Sequence, residues 1–410
     1  MLLFRLLESA IRVGTLTILD ASGRSHRFSA SPEPEVTVRL HKKSLEYRLY
    51  LNPDLALGEA WMSGDLTIEQ GTLRDLFHIV MDASMIADAD PLYALRARIW
   101  KALRGFHQNN PIRRSQRNVA HHYDLPDELY EMFLDPDRQY SCAYFETPAD
   151  DLATAQEAKK RHIAAKMLLE PGQRILDIGS GWGGLSRYLA DVSGAHVTGL
   201  TLSPSQLQHA QRAAAESGRV AFRLRDYRQE TGVYDRVVSV GMFEHVGSRN
   251  FEAYFNTISR LLTDDGVALI HTIGRQSGPG STSPWIRKYI FPGGYAPALS
   301  EIMQAVEKSG LWLNDIEPLR LHYAYTLRAW QKAFARHRLQ IATLLDQRFC
   351  RMWEYYLVAS EASFLYGDQL VFQLQLSKRR DVVPLRRDYI QAEESVLQAD
   401  DPQSRKMRVI

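Results

Sequence analysis

Cysteine is almost missing from this chain: Cys142 and Cys350 are the only two in 410 residues. Thiols so far apart make neither a disulfide framework nor the paired spacing of a zinc site, so a reducing cytoplasm is the expected setting. Long apolar runs are lacking too. No stretch approaches the roughly 18 to 20 apolar residues that span a bilayer. The apolar opening MLLFRLLESAIRVGTL is broken by Arg5, Glu8 and Arg12, which a signal-peptide core does not tolerate. Nor is there a dominant charge: the formal net value of +2 makes the whole chain no electrostatic trap for nucleic acid or anionic lipid. With 45% hydrophobic and 24% charged residues, disordered and fibrous classes are excluded. The length calls for two or three domains.

One local absence points the other way. From Pro91 to Tyr123 there is no Asp or Glu, while Arg96, Arg98, Lys101, Arg104, Arg113, Arg114 and Arg117 alternate with Tyr93, Trp100 and Phe106. Such a segment suits phosphates at a membrane surface or on nucleic acid, and equally a solvated helix face followed by a linker.

The first hundred residues read as mixed: a short amphipathic helix, strands at TVRLH and EYRLYL, then a helix over 73–87. HQNNPIRRS reads as a linker. Beyond it, strands and helices alternate. QRILDIGSGWGG is a strand, Arg174 to Ile178, a glycine-rich turn and a helix over 183–192; AHVTGLTLS is a strand whose following helix is capped by Ser203 before Pro204. VAFRL, YDRVVSVG and GVALIHTI continue the pattern, which predicts a parallel sheet covered on both faces. LWLNDIEPL and QLVFQLQLSK are late strands on either side of a helical insertion over 326–366.

Gly179, Gly181 and Gly184 form G-x-G-x-x-G at a strand end, a weak pointer to a dinucleotide or another adenosyl ligand. A nicotinamide site needs an acid about 20 residues on, yet Val192 to Ala215 contains none. With Asp177 ahead of the turn, LDIGSGWGG resembles motif I of the class I methyltransferases that use S-adenosylmethionine. His121 and His122 have no further ligand at a metal-site spacing, so no metal is expected.

Seven segments in order carry a wider resemblance: HHYDLPDELYEMFLDPDRQYSCAYF, LDIGSGWGGLSRYLA, VTGLTLSPSQLQHAQ, DYRQETGVYDRVVSVGMFEHVG, HTIG, YIFPGG and HYAYTLRAW. The chain resembles the cyclopropane-fatty-acyl-phospholipid synthases and their mycolic acid relatives over 121–378, and LNPDLALGEAWMSGDL extends the likeness toward the amino terminus. The resemblance implies a Rossmann-like parallel α/β sheet with an antiparallel last strand, plus a smaller α+β amino-terminal domain. The expected division is a lipid-associated domain over 1–105, a basic lead-in over 106–139, a catalytic domain over 140–395 and a tail over 396–410.

The same resemblance implies S-adenosylmethionine as co-substrate. Its methionine end would lie against Tyr140, Ser141 and the turn Gly179, Gly181 and Gly183 with Asp177, and its nucleoside near Thr201, Leu202, Ser203, Gln206, Tyr227 and Arg228. It implies a bicarbonate ion held by Cys142, Glu244, His271, the backbone of Ile273, and Tyr323. Ser180 stands where many members have cysteine, and DYRQ where some have tryptophan. Standing alone, Cys142 is a small buried hydrophobe and Glu244 a helix cap; the family pattern makes them functional, while His245 is expected to be structural.

The implied reaction adds a methylene group across a cis double bond of an unsaturated phospholipid. The resulting carbocation calls for dry, aromatic surroundings, expected from Tyr140, Tyr144, Phe145 and Phe243, and for bicarbonate as general base. A methyl-branched or methylene product without ring closure is the alternative. An inactive methyltransferase that merely binds membranes does not explain Glu244, His271 and Tyr323, and a nucleic-acid methyltransferase has only the basic segment in its favour. Trp285 to Phe291 is an aromatic and basic stretch suited to a lipid interface. A homodimer, peripheral on anionic lipid at the inner face of the membrane and without nucleic acid, is the expected setting.

Overall fold

The computed structural model describes residues 2–82 and 125–400. The chain divides into two compact units. The first takes residues within 1–107 together with 280–292 and 327–369; the second takes those within 108–279, 293–326 and 370–410. The segments 280–292 and 327–369 fall in the continuous catalytic span expected from sequence, yet they group with the amino-terminal residues. The basic run from Arg96 to Arg117, His121 and His122 lie outside the described residues.

In the first unit, β1 (Thr15–Leu19), β2 (Ser25–Ser29), β3 (Glu35–Leu40) and β4 (Leu66–Gln70) form one sheet in the order β2-β1-β3-β4. The expected strand EYRLYL is instead part of the helix Lys43–Leu51. Leu45 and Leu49, four apart, are its buried residues, and that helical spacing outweighs the strand propensity of the tyrosines. The insertion forms two helices, His322–Leu344 and Gln347–Leu365. Its expected start and end at 326 and 366 are close to these bounds.

The stretch expected at a lipid interface forms the helix Pro284–Tyr289 and the residues after it. Trp285 and Ile290 are buried, Trp285 packs on Tyr289 and Tyr355, and Lys288 pairs with Glu59. An indole inside a core is not a membrane contact, so Trp285 and Ile290 leave the interface assignment. The helix Pro53–Ser63 approaches this indole closely enough that a Cβ on Gly58 would stand 2.3 Å from Trp285 Nε1.

The second unit is built on β5 (Arg174–Ile178), β6 (His196–Thr201), β7 (Val220–Leu224), β8 (Tyr234–Val240), β9 (Leu262–Arg275), β10 (Trp312–Leu319) and β11 (Gln369–Ser377), ordered β10-β11-β9-β8-β5-β6-β7. The pairs β5–β6, β6–β7, β5–β8 and β8–β9 are parallel, and β11 runs antiparallel to β10. Successive residues serve opposite cores, as a period of two requires. Leu176, Val237 and Ala268 join Tyr254 and Phe255 on one face; Ile175, Val238 and Leu269 join Ile163, Leu185 and Leu189 on the other. Strand order reverses on either side of β5, and ligands bind at such switch points beyond the carboxyl ends of the strands.

Gly58→Ala tests the tight packing of the first unit. Overpacking costs about 1–3 kcal/mol, against the roughly 1 kcal/mol that alanine regains in a helix, so the variant should show a lower denaturation midpoint by calorimetry.

Candidate active site

A cavity opens at the carboxyl ends of β5, β6, β7 and β8. It is lined among others by Gln139, Asp177, Gly181, Trp182, Asp226 and Met242. Of the twelve residues expected around the cofactor, Tyr140, Ser141, Asp177, Gly179, Gly181, Thr201, Leu202, Gln206, Tyr227 and Arg228 line it. Gly183 and Ser203 do not. Gly183 begins the helix Gly184–Ser193 at φ 86°, and a Cβ there would meet the Phe222 ring at 2.5 Å. Ser203 caps the helix Pro204–Ala213 by accepting from Gln206 N. Both therefore have packing and capping tasks.

The turn after β5 is held to its neighbour strand: Gly179 N and Ser180 N both donate to Leu200 O at 2.9 Å. Gly181 has φ 54°, and a Cβ there would meet nothing within 4 Å, so the backbone itself is presented to the cavity. Asp177 is buried, accepts from Ser186 Oγ at 2.7 Å, and burial pushes its pKa up to about 6. At the end of β6, Thr201 Oγ1 donates to Gln206 Oε1 at 2.9 Å. That leaves the two Gln206 N–H donors as polar groups where a dinucleotide site would carry an acid. Arg228 folds back on Asp226 through Nε at 2.8 Å and Nη2 at 2.6 Å, so its charge is neutralised beside the cavity.

The loop bearing Tyr140 and Ser141 is fastened from the helix Leu152–Met167. Gln156 Nε2 donates to the carbonyls of Gln139 and Ser141, each at 3.0 Å. Lys159 Nζ donates to Gln139 Oε1 at 2.5 Å and Ser141 Oγ at 2.9 Å. Fully buried, Lys159 has its pKa lowered to about 8 by desolvation. Neither Gln139, Gln156 nor Lys159 was expected from sequence. The available signal was a row of polar residues, Gln156, Lys159, His162 and Lys166, at the three- and four-residue spacing normally occupied by an apolar face.

Beside the cavity lies the second expected set. Glu244 follows β8 in the short turn Phe243–His245, and its Oε1 accepts from Ile273 N at 2.6 Å. His271 precedes Ile273 by two residues on β9, and Gly241 N donates to His271 O at 2.9 Å. Glu244, His271 and Ile273 are thus gathered at adjoining strand ends. Two buried atoms of this group, Glu244 Oε2 and His271 Nε2, have no hydrogen-bond partner among the described residues. Burial raises Glu244 to about 7 and, with nearby Lys159 and Lys166, holds His271 well below its ordinary value. Near neutrality His271 is uncharged and Glu244 is poised between its two forms.

Cys142 and Tyr323 lie on a second pair of joined segments. Ala143 N donates to Thr326 Oγ1, and Phe145 N to His322 Nδ1, each at 3.0 Å. Cys142 is fully buried, its thiol donates to Ala143 O at 3.3 Å, and burial drives its pKa upward. It is no nucleophile in waiting.

Three of the expected water-excluding aromatics have other surroundings. Phe243 is buried among Phe251, Tyr254 and Phe255. Tyr144 stacks between His162 and His322, and Phe145 packs edge-on to Tyr325. Of the four, Tyr140 lines this cavity. His245, expected to be only structural, also lines it, with a pKa lowered to about 4 by burial.

The family model of mycolic acid cyclopropane synthetase matches residues 110–374. The chain belongs to this family of enzymes. It is 36% identical over 352 residues to the cyclopropane-fatty-acyl-phospholipid synthase of Escherichia coli K12, covering 83% of this chain and 87% of that protein. It is 40% identical over 278 residues to the tuberculostearic acid methyltransferase of Mycobacterium tuberculosis, covering 64% of this chain and 65% of that one. The solved mycolic acid cyclopropane synthase CmaA1 complexed with SAH and CTAB superposes with a TM-score of 0.61 at 33% identity, over 65% of this chain and 99% of that one. The mostly parallel seven-stranded sheet with its reversed strand is the Rossmann-like methyltransferase fold.

Glu244 gives a pH test of the site. It keeps its proton in the folded protein up to about 7, whereas its ordinary value is 4.5. Between these values the folded state binds more protons than the unfolded one. Stability therefore falls as pH rises through this window, by about 2–3 kcal/mol, and levels off above it. Glu244→Gln should gain on the wild type across the same window, read from urea midpoints. In the native protein Cys142 should also resist alkylation that proceeds readily in urea.

Proposed function

We propose that this protein transfers a methylene group from S-adenosylmethionine to the cis double bond of unsaturated phospholipid acyl chains, forming a cyclopropane ring. The observation that carries this reading is the pairing of a glycine-walled cavity at the switch point with two buried atoms beside it, Glu244 Oε2 and His271 Nε2, that have no partner among the described residues. The residues present fit S-adenosylmethionine: an open backbone at Gly181, donors on Gln206, and no uncompensated cation in Arg228. When bound, it supplies an activated methyl group. The relative solved with SAH, the demethylated product, supports the same cavity.

The residues also fit one small anion. Bicarbonate, when bound, supplies a compact base for the proton lost on ring closure. Glu244 in its neutral form can donate through Oε2, His271 can donate through Nε2, and Ile273 N positions Glu244 through Oε1. Cys142 contributes a close-fitting wall, and Tyr323 a hydroxyl. We assign the amino-terminal residues and the basic run around Arg113 to peripheral contact with anionic phospholipid at the inner membrane face, as a cytoplasmic homodimer that does not engage nucleic acid. Among the described residues no helix is long and apolar enough to cross a membrane.

A second reading, a methyl-branched or methylene product, draws on the 40% identical relative named for tuberculostearic acid. Incubation with S-adenosylmethionine and vesicles of unsaturated phospholipid, followed by proton NMR of the lipids, separates the two. Upfield cyclopropyl resonances are expected; a branched-methyl or vinyl pattern without them would overturn ring formation. Glu244→Gln and His271→Ala should each lose at least about tenfold in turnover while still binding S-adenosylmethionine in calorimetry.

A further inference from the structure

A neutral imidazole carries one proton, and which nitrogen holds it decides whether the other face donates or accepts. For His271 the neighbouring side chains decide the matter. Gln373 on β11 lies 3.2 Å from His271 Nδ1 through its amide nitrogen. Amide nitrogen and oxygen have nearly the same size, so their assignment needs an independent anchor. Lys166 provides one: its Nζ stands 2.8 Å from Gln373 Oε1. An ammonium group only donates, so the amide oxygen must face Lys166 and the NH2 must face His271. Burial lowers the Lys166 pKa, but Glu317, in direct contact with Nζ, and Asp315 oppose that and favour the charged form.

From this chain of contacts we infer that Gln373, clamped by Lys166, is a positioning residue that holds His271 as the Nε2–H tautomer. Nδ1 accepts from Gln373, and the proton sits on Nε2, the buried atom that has no partner among the described residues. Gln373, Lys166 and His271 are each at most 2% exposed, so water does not compete for these positions. The same contact opposes a doubly protonated ring, because Nδ1–H would then face an amide N–H. Held this way, His271 offers a donor to an anion; the other tautomer would offer a lone pair and repel it.

The inference rests on the anion site proposed above, and its test separates the two. Nitrogen-15 NMR of histidine-labelled protein at pH 8, with the His271 signal assigned by its loss in His271→Gln, should show Nε2 protonated and Nδ1 bare in the wild type. In Gln373→Glu, one carboxylate oxygen takes Lys166 and the other can only accept, so Nδ1 should become protonated. A wild-type ring protonated on Nδ1, or the same ring state in wild type and Gln373→Glu, would overturn the inference. Gln373→Glu, whose switched ring turns a lone pair toward the anion, should also raise the bicarbonate concentration for half-maximal turnover about tenfold, the effect of one lost hydrogen bond to a charged group. Its S-adenosylmethionine affinity should stay unchanged. A switched ring with an unaltered bicarbonate response would sustain the tautomer assignment and overturn the bicarbonate reading instead.

Discussion

The second unit depends on one constraint: the ionisable groups on the buried face of the helix Leu152–Met167 must find partners. An isolated charge inside a protein costs several kcal/mol, and breaking a buried pair is more destabilising than the pair is stabilising. Lys159, Lys160, His162 and Lys166 are all buried. Their partners are Gln139 and Ser141, Asp137, Glu317 with Glu394, and Glu317 with Gln373. Two of these attachments reach residues of the candidate site, one directly on the loop bearing Tyr140 and Ser141 and one, through Gln373, on His271. A single helix therefore sets the position of the residues on both sides of the proposed reaction. The desolvation cost of the buried charges is offset by contacts that also organise the site.

Burial also sets the protonation of the site. Desolvation drives every group toward its neutral form, so Asp177 and Glu244 rise, His271 and His245 fall, and the Cys142 thiol rises. Near neutrality His271 and His245 are uncharged and Glu244 is poised between its two forms, and two buried atoms, Glu244 Oε2 and His271 Nε2, have no hydrogen-bond partner among the described residues. Such surroundings suit a cationic co-substrate and a single small anion, because each brings its own charge into a place that supplies oriented dipoles rather than competing ions.

Much of this was legible in the sequence where local patterns and burial coincide. The strand Arg174–Ile178, the turn after it and the Ser203 cap follow from apolar runs, glycine and proline alone. What escaped depended on contacts distant in sequence. Gln373 lies about a hundred residues from His271, and nothing local marks a strand glutamine as the neighbour of that ring. For Gly183, glycine serves close backbone approach to a ligand and close packing of helix on strand equally well, and the nearby Phe222 ring alone already requires it. Trp285 looked interfacial because composition does not say which side of a short helix is covered.

The partition of the chain has a physical consequence for dissecting it. Glu361, 1% exposed, lies in the inserted helix Gln347–Leu365, and its carboxylate is held by Arg74 at 3.0 Å, Arg328 at 2.8 Å and Gln331. Arg74 belongs to the amino-terminal residues, and Arg328 to the insertion. Cutting the chain near residue 105 would leave this buried carboxylate short of one guanidinium and the inserted helices short of the apolar residues they pack on, including Phe77 against Tyr355. The amino-terminal segment is thus part of the fold of the insertion. A role for it in lipid contact is best examined by substitutions on the intact chain, because deletion removes the packing together with whatever surface that segment presents.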